Sequence, residues 1–192
     1  MPVLNKFHYN APVILTYAVL AFFGTLIVSS VSQVGASLFF IHRAEITLVF
    51  VLRLFTHVLG HINMEHFTGN FMLILLIGPI LEEKYGSRTI LATILITAFV
   101  TGFVNVLLFE TALMGASGVA FCLIVIASLV NLRQGSIPIT FVLIVALYIG
   151  REIYSAINYY YTNISHLTHI LGGVCGAAIG LFLARKDRRA FN

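Results

Sequence analysis

Long apolar runs broken by short polar stretches dominate the chain. A bilayer-crossing helix needs about 20 mostly apolar residues at 1.5 Å rise each. Six runs approach or meet that length: Val13–Ser30, His66–Leu81, Thr89–Leu108, Gly115–Leu132, Ile137–Tyr154 and His166–Ala184. The first is longer than a signal-peptide core of about 7–15 residues, and no A-x-A cleavage site follows it, so a retained span is expected. The connections are short except for residues Val31–Glu65. That segment is half apolar, through Leu38–Ile41 and Ile46–Phe55, yet too broken to span. Loops of this length are usually functional or disordered, and this one is too apolar for disorder. Short helices lying at the outer membrane interface are expected there. No linker, low-complexity tract or internal repeat divides the chain, so residues 1–192 form one expected domain.

Composition supports lipid as the solvent. Hydrophobic residues make up 59% and charged residues 9%, against about 25% charged in soluble domains. Mean hydropathy is +1.00. The pI near 9.3 does not indicate nucleic acid, because the basic residues are scattered at the ends of apolar runs. Cys122 and Cys175 both fall inside apolar runs, which argues against a disulfide framework.

Six spans put both termini on one side. With the termini inside, the inner segments hold Lys6, Lys84, Arg88, Arg133, Arg185, Lys186, Arg188 and Arg189, and the outer ones only Arg43, Arg53 and Arg151. This satisfies the positive-inside rule, and the opposite orientation violates it. The second, fourth and sixth spans then run from outside to inside.

Polar groups inside a span are expensive and point to function. The second span opens with His66 and carries Asn70, the fourth opens with Gly115-Ala116-Ser117-Gly118, and the sixth opens with His166 and carries His169. Each polar group lies within about the first turn and a half of a descending helix, so all reach a similar depth. A serine hydroxyl is a weak nucleophile until a base takes its proton, and histidine is the usual base. Gly115 and Gly118 permit close backbone approach around Ser117. Free N–H groups at the helix start, Ser117 among them, can stabilise an oxyanion. His66 and Asn70, four apart on one helix face, can donate to the same oxyanion. Gly172, Gly176 and Gly180 share the face of His169 and let that helix press closely on another. The one aspartate, Asp187, is on the inner tail, and Glu45, Glu65, Glu110 and Glu152 lie outside the spans, so a Ser117–His169 dyad is expected.

Blander readings stand beside this one. Serine in a membrane helix is more often a packing residue, and a small-residue face alone indicates only helix association. Asn163-Ile164-Ser165 matches a glycosylation sequon by chance. His57, His61 and His66 resemble a metal cluster, but no His-Glu-x-x-His is present, and no metal is expected. A proton-linked transporter could use His66, Asn70 and His169 as a relay. Such proteins show repeats and polar residues at the membrane midplane, whereas here the polar residues are shallow.

Taken together, His57-x3-His61-x4-His66-x3-Asn70, Gly115-x-Ser117-Gly118 and His169-x2-Gly172-x3-Gly176 resemble the rhomboid intramembrane proteases, closest to the bacterial six-helix GlpG type. Leu52-Arg53, Phe55-Thr56-His57 and the inner-loop Glu82-Glu83-Lys84-Tyr85-Gly86-Ser87 extend the likeness. The resemblance implies an all-α, six-transmembrane-helix bundle with both termini cytoplasmic. It implies a Ser117–His169 dyad in a water-filled cavity open to the periplasmic side of the bacterial inner membrane, with His66 and Asn70 at the oxyanion site. Substrates would be transmembrane proteins cut near the outer end of a span after a small residue, within membrane lipid, and without metal, nucleotide or organic cofactor or nucleic-acid partner. The chain departs from the family at Leu52, where tryptophan is usual, and at Phe121, where a tyrosine usually stacks on the histidine. Ser165 and Thr168 stand where alanine is usual. About a dozen residues precede the first span, so the cytoplasmic domain of larger members is not expected.

Overall fold

The computed structural model describes residues 10–30, 37–129, 139, 142, 143, 146 and 163–190. The described helices are α1 (Pro12–Ser30), α2 (Leu48–Thr56), α3 (Met64–Tyr85), α4 (Ser87–Leu108), α5 (Ser117–Leu129) and α6 (Asn163–Ala190). Among the described residues, β pairing is limited to an isolated antiparallel bridge between Ile41 and Leu113. Among the described residues, four stretches are long and apolar enough to cross a membrane: α1, α3, α4 and Leu167–Arg185 of α6. The expected span Ile137–Tyr154 lies, but for isolated positions, outside the described residues, as does the end of Gly115–Leu132 beyond Leu129.

The helix ends differ from the apolar runs for local reasons. α3 starts two residues before His66 because the Asn63 side chain caps it, accepting the His66 N–H at 2.8 Å. It continues past Leu81, through Pro79, to Tyr85. α5 starts at Ser117 instead of the expected Gly115. Gly115 has φ +135°, outside helical space, and the first helical hydrogen bond runs from Ala120 N–H to the Ala116 carbonyl at 2.9 Å. α6 runs from Asn163 to Ala190, beyond the expected His166–Ala184 at both ends. Hydropathy marks the apolar centre of such a helix, whereas its backbone ladder continues into polar flanks.

The distribution of polarity is inverted relative to a soluble bundle. Val19, Phe23, Ile27, Met72, Leu76, Ile80 and Phe182 are exposed, while Thr25, Thr93, Thr97, Thr101 and Asn105 are buried. The last four recur every fourth residue and line the inner face of α4. Thr93 and Thr101 return their hydroxyls to the carbonyls of Thr89 and Thr97, at 2.9 and 2.8 Å. Glu82 is 2% exposed, and its carboxylate accepts the Val13 and Ile14 N–H groups, each at 2.9 Å. A charge near the end of α3 thereby caps the start of α1 and fixes the pairing of the two helices.

The α5–α6 pairing is set by glycines. A Cβ on Gly172 would collide with the Gly118 carbonyl, and one on Gly176 would lie 2.5 Å from the Cys122 carbonyl oxygen. Gly180 rests on Leu129 and Ile126 further along the same face. Backbone therefore meets backbone, and the helices come as close as the chain permits. Gly173, next in sequence, has open space out to Val125 at 4.0 Å.

These neighbours should respond oppositely to one methyl group. Gly173→Ala should raise stability by up to about 1 kcal/mol through helix propensity. Gly172→Ala should lower it by about 1–3 kcal/mol, because the methyl group meets a carbonyl that cannot yield without parting the helices. Equilibrium unfolding in mixed detergent micelles reads both signs, and equal effects at the two positions would contradict the packing.

Candidate active site

The Asn63 cap fixes the first turn of α3, and with it the direction of His66 and, one turn on, Asn70. The ring of His66 meets the turn before α5 by its Cε1 edge: a Cβ on Gly115 would stand 2.8 Å from that atom. Gly115 is thus demanded twice, by its positive φ and by the imidazole packed on its Cα.

The turn itself is held from outside α5. Gly115 N–H donates to the His57 carbonyl at 2.9 Å, and Ala116 N–H donates to His61 Nε2 at 3.2 Å. Upstream, Ile41 and Leu113 exchange two backbone hydrogen bonds of 3.1 and 2.9 Å, and Asn105 Nδ2 donates to the Thr111 carbonyl at 3.0 Å. Arg43 caps the end of α4, donating to the carbonyls of Val106 and Leu107 at 3.1 and 2.7 Å. Ser117 follows as the first residue of α5, so its N–H belongs to the helix turn that has no intrahelical partner.

From the other side, α6 carries His169 against α5. Thr168 is buried, and its carbonyl and methyl approach Gly118. The rings of Phe121 and His169 have centroids 4.6 Å apart and are tilted by 47°, an oblique contact instead of a parallel stack.

A cavity of about 710 Å³ opens where these elements meet. Ser117, His169, His66, Asn70 and Phe121 all line it. Four candidate polar residues from three distant segments therefore share one space. Gly115, Gly118, Gly172 and Gly176 do not line it; Gly115 makes room for His66, and the other three set the approach of α6 to α5. Asn70 Nδ2 is buried with no hydrogen-bond partner among the described residues. The sequence reading missed the walls Phe40, Ile62, Leu113 and Met114, and it missed Glu65 at the cavity. The apolar stretch around Phe40 was legible, but not its approach to α3. His57 and His61, which resemble metal ligands in sequence, spend their rings on the protein. His57 Nε2 donates to the Ala98 carbonyl at 3.0 Å, and His61 bonds to Thr25 and Ala116.

Helices long and apolar enough to cross a membrane surround a cavity that serine and histidine line, an arrangement that suits chemistry within a membrane. The family model of the rhomboid domain matches residues 49–186, and the chain belongs to the rhomboid family, whose members are intramembrane serine proteases. It is an integral, multi-pass membrane protein. No curated protein matches it.

Burial sets the charge of the two supporting histidines. It pushes the His57 imidazole down to about 4, against the opposing pull of the Ala98 hydrogen bond. It pushes His61 down to about 3, with His66 adding in the same direction and a Leu59 backbone hydrogen bond opposing. In the unfolded chain both rings take up protons near 6.5. Below that pH the unfolded state binds more protons than the fold, so stability drops as pH falls from about 6.5 through about 4. The unfolding midpoint in detergent should be level above about pH 7 and decline steadily towards pH 4, with a shallower decline in His61→Gln. A midpoint that rises on acidification to pH 5 would contradict neutral, buried rings.

Proposed function

We propose that this rhomboid-family protein is a serine endopeptidase that cuts membrane-protein substrates within or beside their transmembrane segments, using Ser117 as nucleophile and His169 as general base. The observation that carries this reading is the convergence of Ser117, His169, His66 and Asn70 on one cavity. His169 takes the Ser117 hydroxyl proton as Oγ attacks the scissile carbonyl, forming a tetrahedral intermediate. Its oxyanion is received by Asn70 Nδ2, His66 and the Ser117 N–H. His169 then gives the proton to the leaving amine, and an acyl-enzyme remains. Water attacks that ester, with His169 again taking and returning a proton, and Ser117 is regenerated. Phe121 supports the imidazole by its oblique ring contact. The step calls for no metal or organic cofactor.

We also propose that the whole chain is one domain of six spans with both termini cytoplasmic, in a bacterial inner membrane, with the cavity open to the periplasmic side. The excess of basic residues in the inner segments supports that orientation. The segment 31–65, which contains α2, then lies at the outer interface.

Ser117 and His169 act as one unit: without the base the hydroxyl keeps its proton, and without the hydroxyl there is nothing to activate. Ser117→Ala, His169→Ala and the double variant should therefore fall to one common background. A fluorophosphonate should label the purified wild type at Ser117 and label His169→Ala far more slowly. Cleavage of a transmembrane reporter in detergent by Ser117→Ala, free of contaminating protease, would end this reading.

The oxyanion donors should be graded. Asn70→Ala and His66→Ala should each lose about 10²–10³ in kcat and remain above the Ser117→Ala background. Turnover at the wild-type rate in both variants, with several reporters, would remove them from the site.

A further inference from the structure

His61 is fully buried at 0% exposure, yet it is absent from the cavity wall. It stands between α1, α3 and the turn before α5, with edge contacts to His66, Phe67 and Phe71 at 5.0, 5.6 and 5.8 Å. Thr25 of α1, also 0% exposed, faces its other side.

Thr25, Ala116 and the Leu59 carbonyl, which can only accept, surround this ring, and their hydrogen-bond directions have one consistent solution. Thr25 Oγ1 donates its single proton to the Ala21 carbonyl at 2.8 Å. Towards His61 Nδ1, 3.2 Å away, it can then only accept, so Nδ1 carries the hydrogen. At the opposite nitrogen, Nε2 faces the Ala116 N–H at 3.2 Å and must offer a lone pair. The ring is thereby fixed as the neutral Nδ1–H tautomer. His57 is arranged in the opposite sense, since its Nε2 faces a carbonyl and carries the hydrogen.

Ala116 immediately precedes Ser117. Its N–H is held by His61 and its carbonyl by Ala120 N–H at 2.9 Å, so the backbone that launches Ser117 is tied at both ends. Resting on the reading of Ser117 as nucleophile, we propose that Thr25 and His61 are positioning residues: the Thr25 hydroxyl accepts from Nδ1–H and steadies the His61 ring, and the Nε2 lone pair of that ring holds Ala116 N–H and with it the aim of Ser117. A helix that contributes nothing to the cavity wall thereby controls the geometry of the nucleophile. Neither residue touches substrate.

A merely space-filling Thr25 would tolerate valine, which has nearly the same shape and no hydroxyl. The proposal expects otherwise. Thr25→Val should lower kcat by about tenfold or more, since displacements well under 1 Å at a reacting group already cost rate, with KM held within about twofold. Thr25→Ser, which keeps the hydroxyl, should hold kcat within about threefold of wild type. Fluorophosphonate labelling of Ser117 should slow in Thr25→Val to the same degree as kcat. In ¹⁵N-histidine spectra of the wild type in micelles, His61 should be protonated at Nδ1 and bare at Nε2, and its nitrogen resonances should shift in Thr25→Val. Wild-type kcat in Thr25→Val, or equal damage in Thr25→Ser, would overturn the proposal. So would an Nε2–H tautomer in the wild-type spectrum, which decides the matter even if Thr25→Val does not fold. The Ser117→Ala control separates the two levels. If Ser117→Ala still cleaves, the protease reading itself is wrong. If Ser117→Ala is silent while Thr25→Val is unimpaired, only the positioning role fails.

Discussion

The structure depends on satisfying two backbone N–H groups, those of Gly115 and Ala116, in a protein surrounded by lipid. Both residues are buried, and each N–H left unpaired there would cost several kcal/mol. The pairing comes from the His57 carbonyl and the His61 ring. The segment between α2 and α3 must therefore run beneath the turn that precedes α5. It is pinned there from α1, where Tyr17 donates to the Val58 carbonyl at 3.1 Å and Gly24 leaves room for the Leu59 carbonyl. The position of Ser117 is a consequence of that chain of contacts more than of its own helix.

The same constraint explains why the interior is polar in places where a soluble core would be apolar. Lipid provides no hydrophobic reward for helix association, so close packing and internal hydrogen bonds hold the helices together. The threonine row of α4, the Glu82 cap on α1 and the glycine face of α6 are three forms of that adhesion. Each also has a positional outcome. The glycine face brings His169 to the wall that Ser117 lines, and the Glu82 cap fixes α1, from which Thr25 reaches His61.

The chain belongs to the rhomboid family, whose members are intramembrane serine proteases. The site has its own character on top of that. Phe121 meets His169 obliquely and without a hydroxyl, so orientation of the imidazole falls to packing between α5 and α6. Asn70 Nδ2 is buried at the cavity with no hydrogen-bond partner among the described residues.

The sequence by itself determined the membrane class, the approximate location of α1, α3, α4 and α6, and the residues that converge. Those properties are local: apolar run length, polar groups inside such runs, and spacing on one helix face. His66, Asn70, Ser117 and His169 could be singled out because each is costly where it stands. The tertiary structure alone decided what His57 and His61 do. In sequence they read as metal ligands or as a motif, because a histidine carries no mark of which neighbour its nitrogens will meet. Thr25 was invisible for the same reason, as was Arg43, whose partners lie at Val106 and Leu107. α5 starts at Ser117 instead of Gly115 because Gly115 has a positive φ, which cannot be read from hydropathy. Hydrogen bonds between residues far apart in the chain are set by how the helices pack, and packing is a property of the whole bundle.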